Sequence, residues 1–298
     1  MRAAWIAVDW GTSHLRLWRM AASGALLDRV DDDRGMGRLT PAEFQPVLEE
    51  LLTKDLKQGP LTVVCCGMAG SRQGWAEARY ASVPCAPPGI GQATHLRLTE
   101  ARLDVHILPG LSQAIPADVM RGEETQIAGF LAVQPEFDGV LCLPGTHCKW
   151  VHVSAGEVVS FKTVMTGEMF ALLARQSVLR HSVSADGLDH TAFVGAVSRA
   201  MSRPEALVGD LFSLRAEALL AGLDGVVARS RLSGLLIGAE LAAARAYWLG
   251  REVVILGESR LALAYQAALA AQGLAADCVN AEEMTLNGLR AAYAGVRG

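Results

Sequence analysis

The sequence predicts an α/β protein built from two similar lobes, and three observations carry that expectation. Short, strongly apolar strand signals alternate with helix signals along the 298 residues. A pattern of apolar strand, Gly-Thr-polar bend, alternating strand, Gly turn and third strand occurs twice, from residue 3 and again from residue 138. The chain is also long enough for one large domain or two of moderate size, and 51% of its residues are hydrophobic. A duplicated α/β architecture of this kind is expected to hold its ligands in a cleft between the halves.

The elements follow in order. "AAWIAVDW" (3–10) reads as a buried strand, "HLRLWRM" (14–20) alternates at period two, and "ALLDRVDD" (25–32) is a third strand. "TPAEFQPVLEELLTKDL" (40–56) reads as a helix with Thr40 as N-cap and Pro41 at its first position. "LTVVCCG" (61–67) is a fully apolar strand that runs into the Gly-rich "GMAGSRQGW", and "DVHILPG" (104–110) is another strand. "ADVMRGEETQIAGFLAV" (117–133) reads as a helix with Asp118 as a plausible cap. "DGVLCLPGTHCKWVHVSAGEVVSFKTVMTGE" (138–168) then copies the opening meander. Ala/Leu-rich helix fills most of 166–250, "EVVILGES" (252–259) is one more buried strand, and helix 260–272 follows. A short strand in 273–281 and a closing helix from 282 complete the chain. The expected division is an N-terminal lobe, 1–115, and a C-terminal lobe, 116–281, with the closing helix 282–298 able to pack back on the first.

Composition excludes several classes. A net charge of -4 leaves no electrostatic footprint for nucleic acid. No run of about 18 uncharged apolar residues appears, so no membrane span is expected. Asp9 interrupts the first apolar run and no cleavage pattern follows, so a signal peptide is not expected, and the protein reads as cytoplasmic. The cysteines at 65, 66, 85, 142, 148 and 278 fit no zinc template and read as buried free thiols. The histidines at 95, 106, 152, 181 and 190 show no metal-ligand spacing.

The two bends, "DWGTSHLRLW" and "LPGTHCKW", are the chemical signal. Glycine with small hydroxyl residues lets successive backbone N–H groups point inward, and such a nest binds anions. An acid at the end of the first strand can hold magnesium through water. Singly, Gly11 and Gly145 need mean no more than tight turns. In matching positions of two half-repeats they favour a nucleotide phosphate tail gripped from both sides.

Together, "VDWGTSHLRLW", "GMAGSRQGW", "DVMRGEETQ", "LPGTHCKWV" and "MTGEMF" resemble the 2-dehydro-3-deoxygalactonokinase family, within the sugar kinase/heat-shock protein 70/actin superfamily. The resemblance spans nearly the whole chain. It implies two ribonuclease H-like (actin-like ATPase) lobes with an interlobe ATP/substrate cleft. It also implies transfer of phosphate from ATP, with Mg2+, to the 6-hydroxyl of 2-dehydro-3-deoxy-D-galactonate in galactonate catabolism. The chain departs from the superfamily in two places. No acid precedes the second loop, which leaves Asp9 as the acidic loop residue near the metal, and the adenosine segment has one glycine, Gly257, where a pair is common.

On that resemblance the phosphate tail falls to Gly11, Thr12 and Ser13 and to Gly145, Thr146 and His147. Lys149 shares the face of His147 and points either to the cleft or directly away from it. The adenosine contacts fall to Gly257 and Glu258, with Gly238 in "LLIGAEL" an alternative for that wall. Asp118 stands where superfamily sugar kinases place their base, and it could equally be only an N-cap; Glu123 and Glu124 are the alternatives, or a solvated helix face. For the substrate carboxylate, Arg72 ranks above Arg16, because polar groups at the carboxyl ends of strands commonly line clefts, whereas the Arg16 face could be solvent. Gln73 and Trp75 are its neighbours, with Trp75 either packing on the carbon skeleton or ordinary core. Thr166 reads as a helix N-cap and Glu168 as a first-turn acid or a ligand of a substrate hydroxyl. Other readings stay open: a kinase for another sugar acid or amino sugar, or an actin- or chaperone-like ATPase that binds protein partners. The Ala-rich helices could build a homodimer surface or pack internally.

Overall fold

The first strand is apolar on both faces, and a strand of that kind must lie inside a sheet covered on both sides. In the structure, a computed structural model describing residues 2–257 and 259–295, this is what the chain does. The elements of the first part are β1 (Trp5–Trp10), β2 (Leu15–Met20), β3 (Leu26–Asp32), α1 (Phe44–Leu51), α2 (Thr53–Leu56) and β4 (Leu61–Gly67). They continue with β5 (Tyr80–Ser82), β6 (Thr94–Leu96), β7 (Leu103–Ile107), β8 (Gly110–Gln113), β9 (Asp118–Met120) and α3 (Glu123–Val133). Six of these strands form one sheet in the order β3-β2-β1-β4-β7-β6, and β5-β8-β9 form a small second sheet. Ile6, Val8, Trp10, Leu15 and Leu17 face the α1 side of the large sheet, in one core with Phe44 and Leu48. Trp5, Ala7, Trp18 and Met20 face the other side.

The second part contains β10 (Gly139–Leu143), β11 (Cys148–Ser154), β12 (Glu157–Val164), α4 (Thr166–Gln176), α5 (His190–Ser202), α6 (Leu207–Leu220), α7 (Gly225–Ala243) and α8 (Arg245–Trp248). β13 (Val253–Gly257), α9 (Ser259–Ala270), β14 (Asp277–Asn280) and α10 (Ala281–Ala294) end it. Its sheet runs β12-β11-β10-β13-β14. Each large sheet therefore repeats one plan, an antiparallel meander whose first strand pairs in parallel with the next βα strand. The duplication expected from the two bends is real at the level of topology.

Two compact units result. One comprises the chain through Phe137, residues 154–160 and the stretch from Ala281; the other comprises Asp138–Val153 and Phe161–Asn280. The first unit thus runs beyond residue 115, because α3 packs against α10. The seam between these helices is glycine on both sides. A Cβ on Gly129 would stand 1.8 Å from the Met284 carbonyl oxygen, and one on Gly288 would stand 2.0 Å from that of Thr125. On the sheet side of α10, Tyr293 stacks on Trp5 with ring centroids 4.2 Å apart.

Several sequence expectations need correction. The helix expected over 40–56 begins as a 3-10 turn, Pro41–Glu43, and becomes α-helical only at Phe44. Pro46 lacks an N–H, so it is tolerated in a first turn and not deeper. The helix expected over 117–133 is a strand, a glycine and then a shorter helix. Gly122 has φ +105°, which breaks the helix, and it is the residue that caps α3. Asp118 is therefore a strand residue opposite Gln113 and caps nothing. Thr166 is the first residue of α4, with Met165 in the cap position. All six cysteines are free, but Cys278 is exposed and Cys85 half-buried. Among the described residues, no helix is long and apolar enough to cross a membrane.

The glycine seam gives a test. Gly288→Ala is expected to destabilise by about 1–3 kcal/mol, the usual cost of overpacking. Gly195, inside α5 with open space around it, should behave oppositely: its replacement by Ala should stabilise by roughly 0.5–1 kcal/mol. Urea denaturation followed by circular dichroism measures both, and effects of the same sign would contradict the packing.

Candidate active site

The first bend closes on itself when the Gly11 N–H donates to the His14 carbonyl oxygen at 2.9 Å, leaving Thr12 and Ser13 exposed at its tip. A second layer props it from behind. The N–H groups of Met36 and Gly37 donate to the carbonyls of Gly11 and Thr12 at 2.9 and 2.8 Å, and the Trp10 indole donates to the Arg34 carbonyl. A Cβ on Gly35 would lie 2.3 Å from the Ser13 carbonyl carbon, so only glycine fits beneath the loop. The "RGMGR" stretch was the available signal for this prop, and sequence reasoning passed over it.

Asp9 sits at the end of β1, directly across from Arg16 on β2, and the two pair at 3.4 Å. Burial pushes the Asp9 carboxyl up. Arg16 and a Cys66 thiol at 3.8 Å oppose this, while the charges of Glu123 and Glu282 add to it. The acids reach this point through two glycines. Gly67 ends β4 at φ +88°, and a Cβ there would stand 3.2 Å from Asp9 Oδ1. A Cβ on Gly122 would in turn stand 3.4 Å from the Gly67 Cα. The N-terminus of α3, carrying Glu123 and Glu124, is thereby drawn onto the carboxyl ends of β1 and β4.

The two glutamates differ. Glu124 is 1% exposed, and both its carboxylate oxygens accept from the Gly122 N–H, at 2.9 and 2.7 Å. Burial first, then the neighbouring Glu123 charge, raises it from an ordinary 4.5 to about 8 against that hydrogen bonding. Glu123 is half-buried and accepts from the Arg121 N–H at 3.1 Å. Asp9, Glu123 and Glu282 lie around this point beside a Glu124 that keeps its proton to about 8; Arg16 pairs with Asp9, Arg29 pairs with Glu282 at 2.8 Å, and Arg121 acts on Glu124. Carboxylates gathered in this way suit a divalent cation with oxygen ligands.

Beside this cluster lies the segment after β4. Arg72 and Gln73 are exposed on its turn. Trp75 is core: its ring meets those of Trp10 and Phe44, each at 5.9 Å. Ser71 carries a buried hydroxyl with no partner. Arg121, which sequence reasoning gave no role, runs under the segment. It donates to the Ala78 carbonyl at 2.7 Å and lies 4.3 Å over the Tyr80 ring, while its Nε and Nη1 have no partner.

In the other unit, Gly145, Thr146 and His147 link β10 to β11, with Thr146 and His147 exposed. The start of α4 docks against this bend. The Glu168 N–H donates to the Thr146 carbonyl at 2.9 Å, and a Cβ on Gly167 would lie 2.3 Å from the Gly145 oxygen. Glu168 and His147 pair at 2.6 Å, so the structure joins two residues that the sequence had assigned to different ligands. Lys149 is buried and donates to the His147 carbonyl at 3.2 Å, holding the loop from within. Below it, Glu240 accepts from Trp150 Nε1 at 2.8 Å, from the Tyr265 hydroxyl at 2.7 Å and from the Thr166 hydroxyl. Burial raises the Glu240 carboxyl and these donors oppose it. Gly238, two residues earlier, is explained by helix packing: a Cβ there would strike the Val197 carbonyl oxygen at 2.5 Å. Gly257 does reach the second bend, with its missing Cβ 3.5 Å from Pro144. Glu258 lies outside the described residues.

Of the residues singled out in advance, Asp9, Arg16, Glu123 and Glu124 gather in one cluster, and Gly145, Thr146, His147, Lys149, Glu168 and Gly257 in another. Asp118 stands apart at the far end of β9. Arg16 pairs with Asp9, with Glu282 at 4.0 Å, and is half-buried; on its face Trp18 is core and His14 is exposed.

A fold of two such units, each with a glycine bend and one with an acid cluster, defines the actin-like ATPase and sugar-kinase class. The activator of 2-hydroxyisocaproyl-CoA dehydratase from Clostridium difficile, solved with bound ADPNP, shares that fold at TM-score 0.52 and 12% identity, covering 98% of this chain and 95% of its own. Within the class, the family model for 2-keto-3-deoxy-galactonokinase matches residues 9–292, and the chain belongs to that family. It is 36% identical over 293 residues to the 2-dehydro-3-deoxygalactonokinase of Escherichia coli strain K12, covering 97% of each chain. A crystal structure of a Sinorhizobium meliloti protein described as a 2-dehydro-3-deoxygalactonokinase superposes with TM-score 0.92 at 40% identity, covering 98% of this chain and 99% of that one.

The buried Glu124 makes stability depend on pH with a definite sign. The unfolded chain gives up this proton near 4.5, whereas the folded chain keeps it to about 8. The stabilising effect is complete below the lower value and is lost as pH rises through the higher one. Glu124→Gln has no charge to bury, so in metal-free buffer it should gain stability relative to the parent chain between pH 5 and pH 9, by a few kcal/mol. Urea midpoints at the two pH values test this, and a difference that does not grow with pH would contradict it.

Proposed function

We propose that this chain transfers the γ-phosphoryl group of ATP to the 6-hydroxyl of 2-dehydro-3-deoxy-D-galactonate, with magnesium as the metal. The observation that carries the reading is the acid cluster at the carboxyl ends of β1 and β4, in a chain of the galactonokinase family. Phosphoryl transfer leaves little covalent work to the protein, so positioning and electrostatics decide the roles.

Asp9 is assigned to the metal, through water, because it is the acid at the end of the first strand, beside the exposed loop. When bound, the metal neutralises charge developing on the transferred phosphoryl group. Thr12 and Ser13 on the first bend and Gly145, Thr146 and His147 on the second hold the phosphate tail with backbone N–H and hydroxyl groups. Gly257, packed on Pro144, forms the adenosine wall with its neighbours.

Glu123 is the base. A base must first reach the hydroxyl and only then have the right proton affinity. Glu123 is half-buried and close enough to Asp9 to act on its charge, whereas Glu124 is sealed and occupied with the Gly122 N–H. Glu124 instead fixes the turn that aims Glu123. Arg72, exposed beside the unpaired Ser71 hydroxyl, offers the planar fork for the substrate carboxylate.

Two outcomes follow. Glu123→Gln should lower turnover by about 100- to 10,000-fold with ATP affinity nearly unchanged, while Asp118→Asn stays within a few-fold of the parent chain. Steady-state kinetics with calorimetric ATP binding measures this, and a crippled Asp118→Asn beside an active Glu123→Gln would reverse the assignment. ADP release should also require the sugar acid, and across a panel of 2-keto-3-deoxy acids it should be fastest with the galactonate. ADP release at the same rate without any acceptor would favour an ATPase serving protein partners.

A further inference from the structure

Sequence spacing gave the histidines no chemistry, but strand register does. β6 pairs antiparallel with β7 so that His95 lies directly opposite His106, and Asp104 lies two residues before His106 on the same face. The two imidazole rings are parallel, with centroids 4.7 Å apart. His95 Nε2 lies 2.7 Å from Asp104 Oδ1, and His106 Nε2 lies 3.1 Å from Oδ2. One ligand atom from each residue falls within 4.8 Å of the other two. On the next strand, Thr62 is the register partner of Asp104 and donates its hydroxyl to Oδ2 at 3.3 Å.

A surface cluster of hydrogen-bonded side chains would need no further explanation if every group were satisfied. His106 is not. Its Nε2 is buried and, although near Oδ2, lacks the geometry of a hydrogen bond. A buried ring nitrogen without a well-formed hydrogen bond is costly, and here it lies 3.1 Å from the Asp104 carboxylate. Two imidazole nitrogens and one carboxylate oxygen are the donor set of borderline divalent metals such as zinc and cobalt, not of magnesium, which prefers oxygen. Metal–ligand bonds of about 2.0–2.1 Å call for ligand atoms roughly 3.3 Å apart, so atoms now within 4.8 Å of one another need a contraction of up to about 1.5 Å. His95, 58% exposed on the edge strand, is free to supply it by rotating its ring. Thr62 would then orient the carboxylate from outside, as partners of metal ligands commonly do.

We propose that His95, Asp104 and His106 bind one divalent transition-metal ion of the zinc class, at a site separate from the phosphoryl-transfer centre. The site lies toward the start of β4, where Thr62 meets Asp104, whereas Asp9 meets Cys66 near the end of that strand. The ion staples the three-residue edge strand β6 to the sheet and shields one of its ends from pairing with other chains.

The test uses the untagged full-length chain stripped with EDTA and titrated with cobalt, followed by visible absorption, and then with zinc. The expected result is one cobalt per chain with a d–d spectrum that zinc abolishes. Asp104→Asn and His95→Gln should each weaken binding by more than about 10-fold, the lower end of what losing even an outer partner of a metal ligand costs. Far-UV circular dichroism and magnesium-supported turnover, unchanged in His95→Gln, establish that the loss reports ligation. A parent chain that binds no cobalt, or variants that bind it as the parent does, would overturn the proposal.

Discussion

The acid cluster at the end of β1 depends on two glycines that meet where a strand ends and a helix begins. Gly67 closes β4 with a positive φ, and Gly122 opens α3 with another. Because neither has a side chain, α3 can start almost on top of β4, and its first two residues are glutamates. The result gathers several acids around the end of β1, where Arg16 pairs with Asp9 and Arg29 with Glu282. Such an arrangement costs stability, since burial favours the neutral form of each carboxyl. It persists because the sheet and the α3–α10 seam hold the backbone in place regardless of charge.

Both bends follow one rule: the part that would touch ligand is exposed, and the part behind it is fixed. Gly35 and the N–H groups of Met36 and Gly37 stand behind the first bend. Gly167, Lys149 and the Glu240 network stand behind the second. Loops meant to receive phosphate gain from being set before the ligand arrives, because the cost of ordering them is then met in folding and not in binding. Glu240 shows how much of this support is polar. A carboxylate with three side-chain donors ties β11, α4, α7 and α9 around one bend.

Much of this was legible in the sequence. Apolar strands with glycine bends repeat visibly, so the meanders, the parallel strands that follow them and the duplication could all be read. Asp9 stood out as the acid closing the first strand, and Glu123 and Glu124 stood out because charged residues crowd a short segment between two apolar strands. What escaped was whatever depends on one residue's backbone or on pairing between distant strands. Gly122 looked like any helix glycine until its φ broke 117–133 in two, and that break put Asp118 on a strand and not at a helix cap. Pro46 delayed α1 by three residues. His95 and His106 are eleven positions apart, a spacing without meaning until β6 and β7 align them. Glu240 and Arg121 lay inside or beside motifs already noticed, yet burial alone distinguishes them from surface charges.

The central claim, that the Asp9 and Glu123 carboxylates are the ones that face the reacting groups, is open to direct inspection. The decisive measurement is a crystal structure of the chain with magnesium, a nonreactive ATP analogue and the keto-deoxy sugar acid together. The account predicts the metal's water shell against Asp9 and the acceptor hydroxyl within hydrogen-bonding distance of Glu123. An acceptor hydroxyl resting against Asp118, or a nucleotide bound away from Thr12 and Thr146, would contradict it.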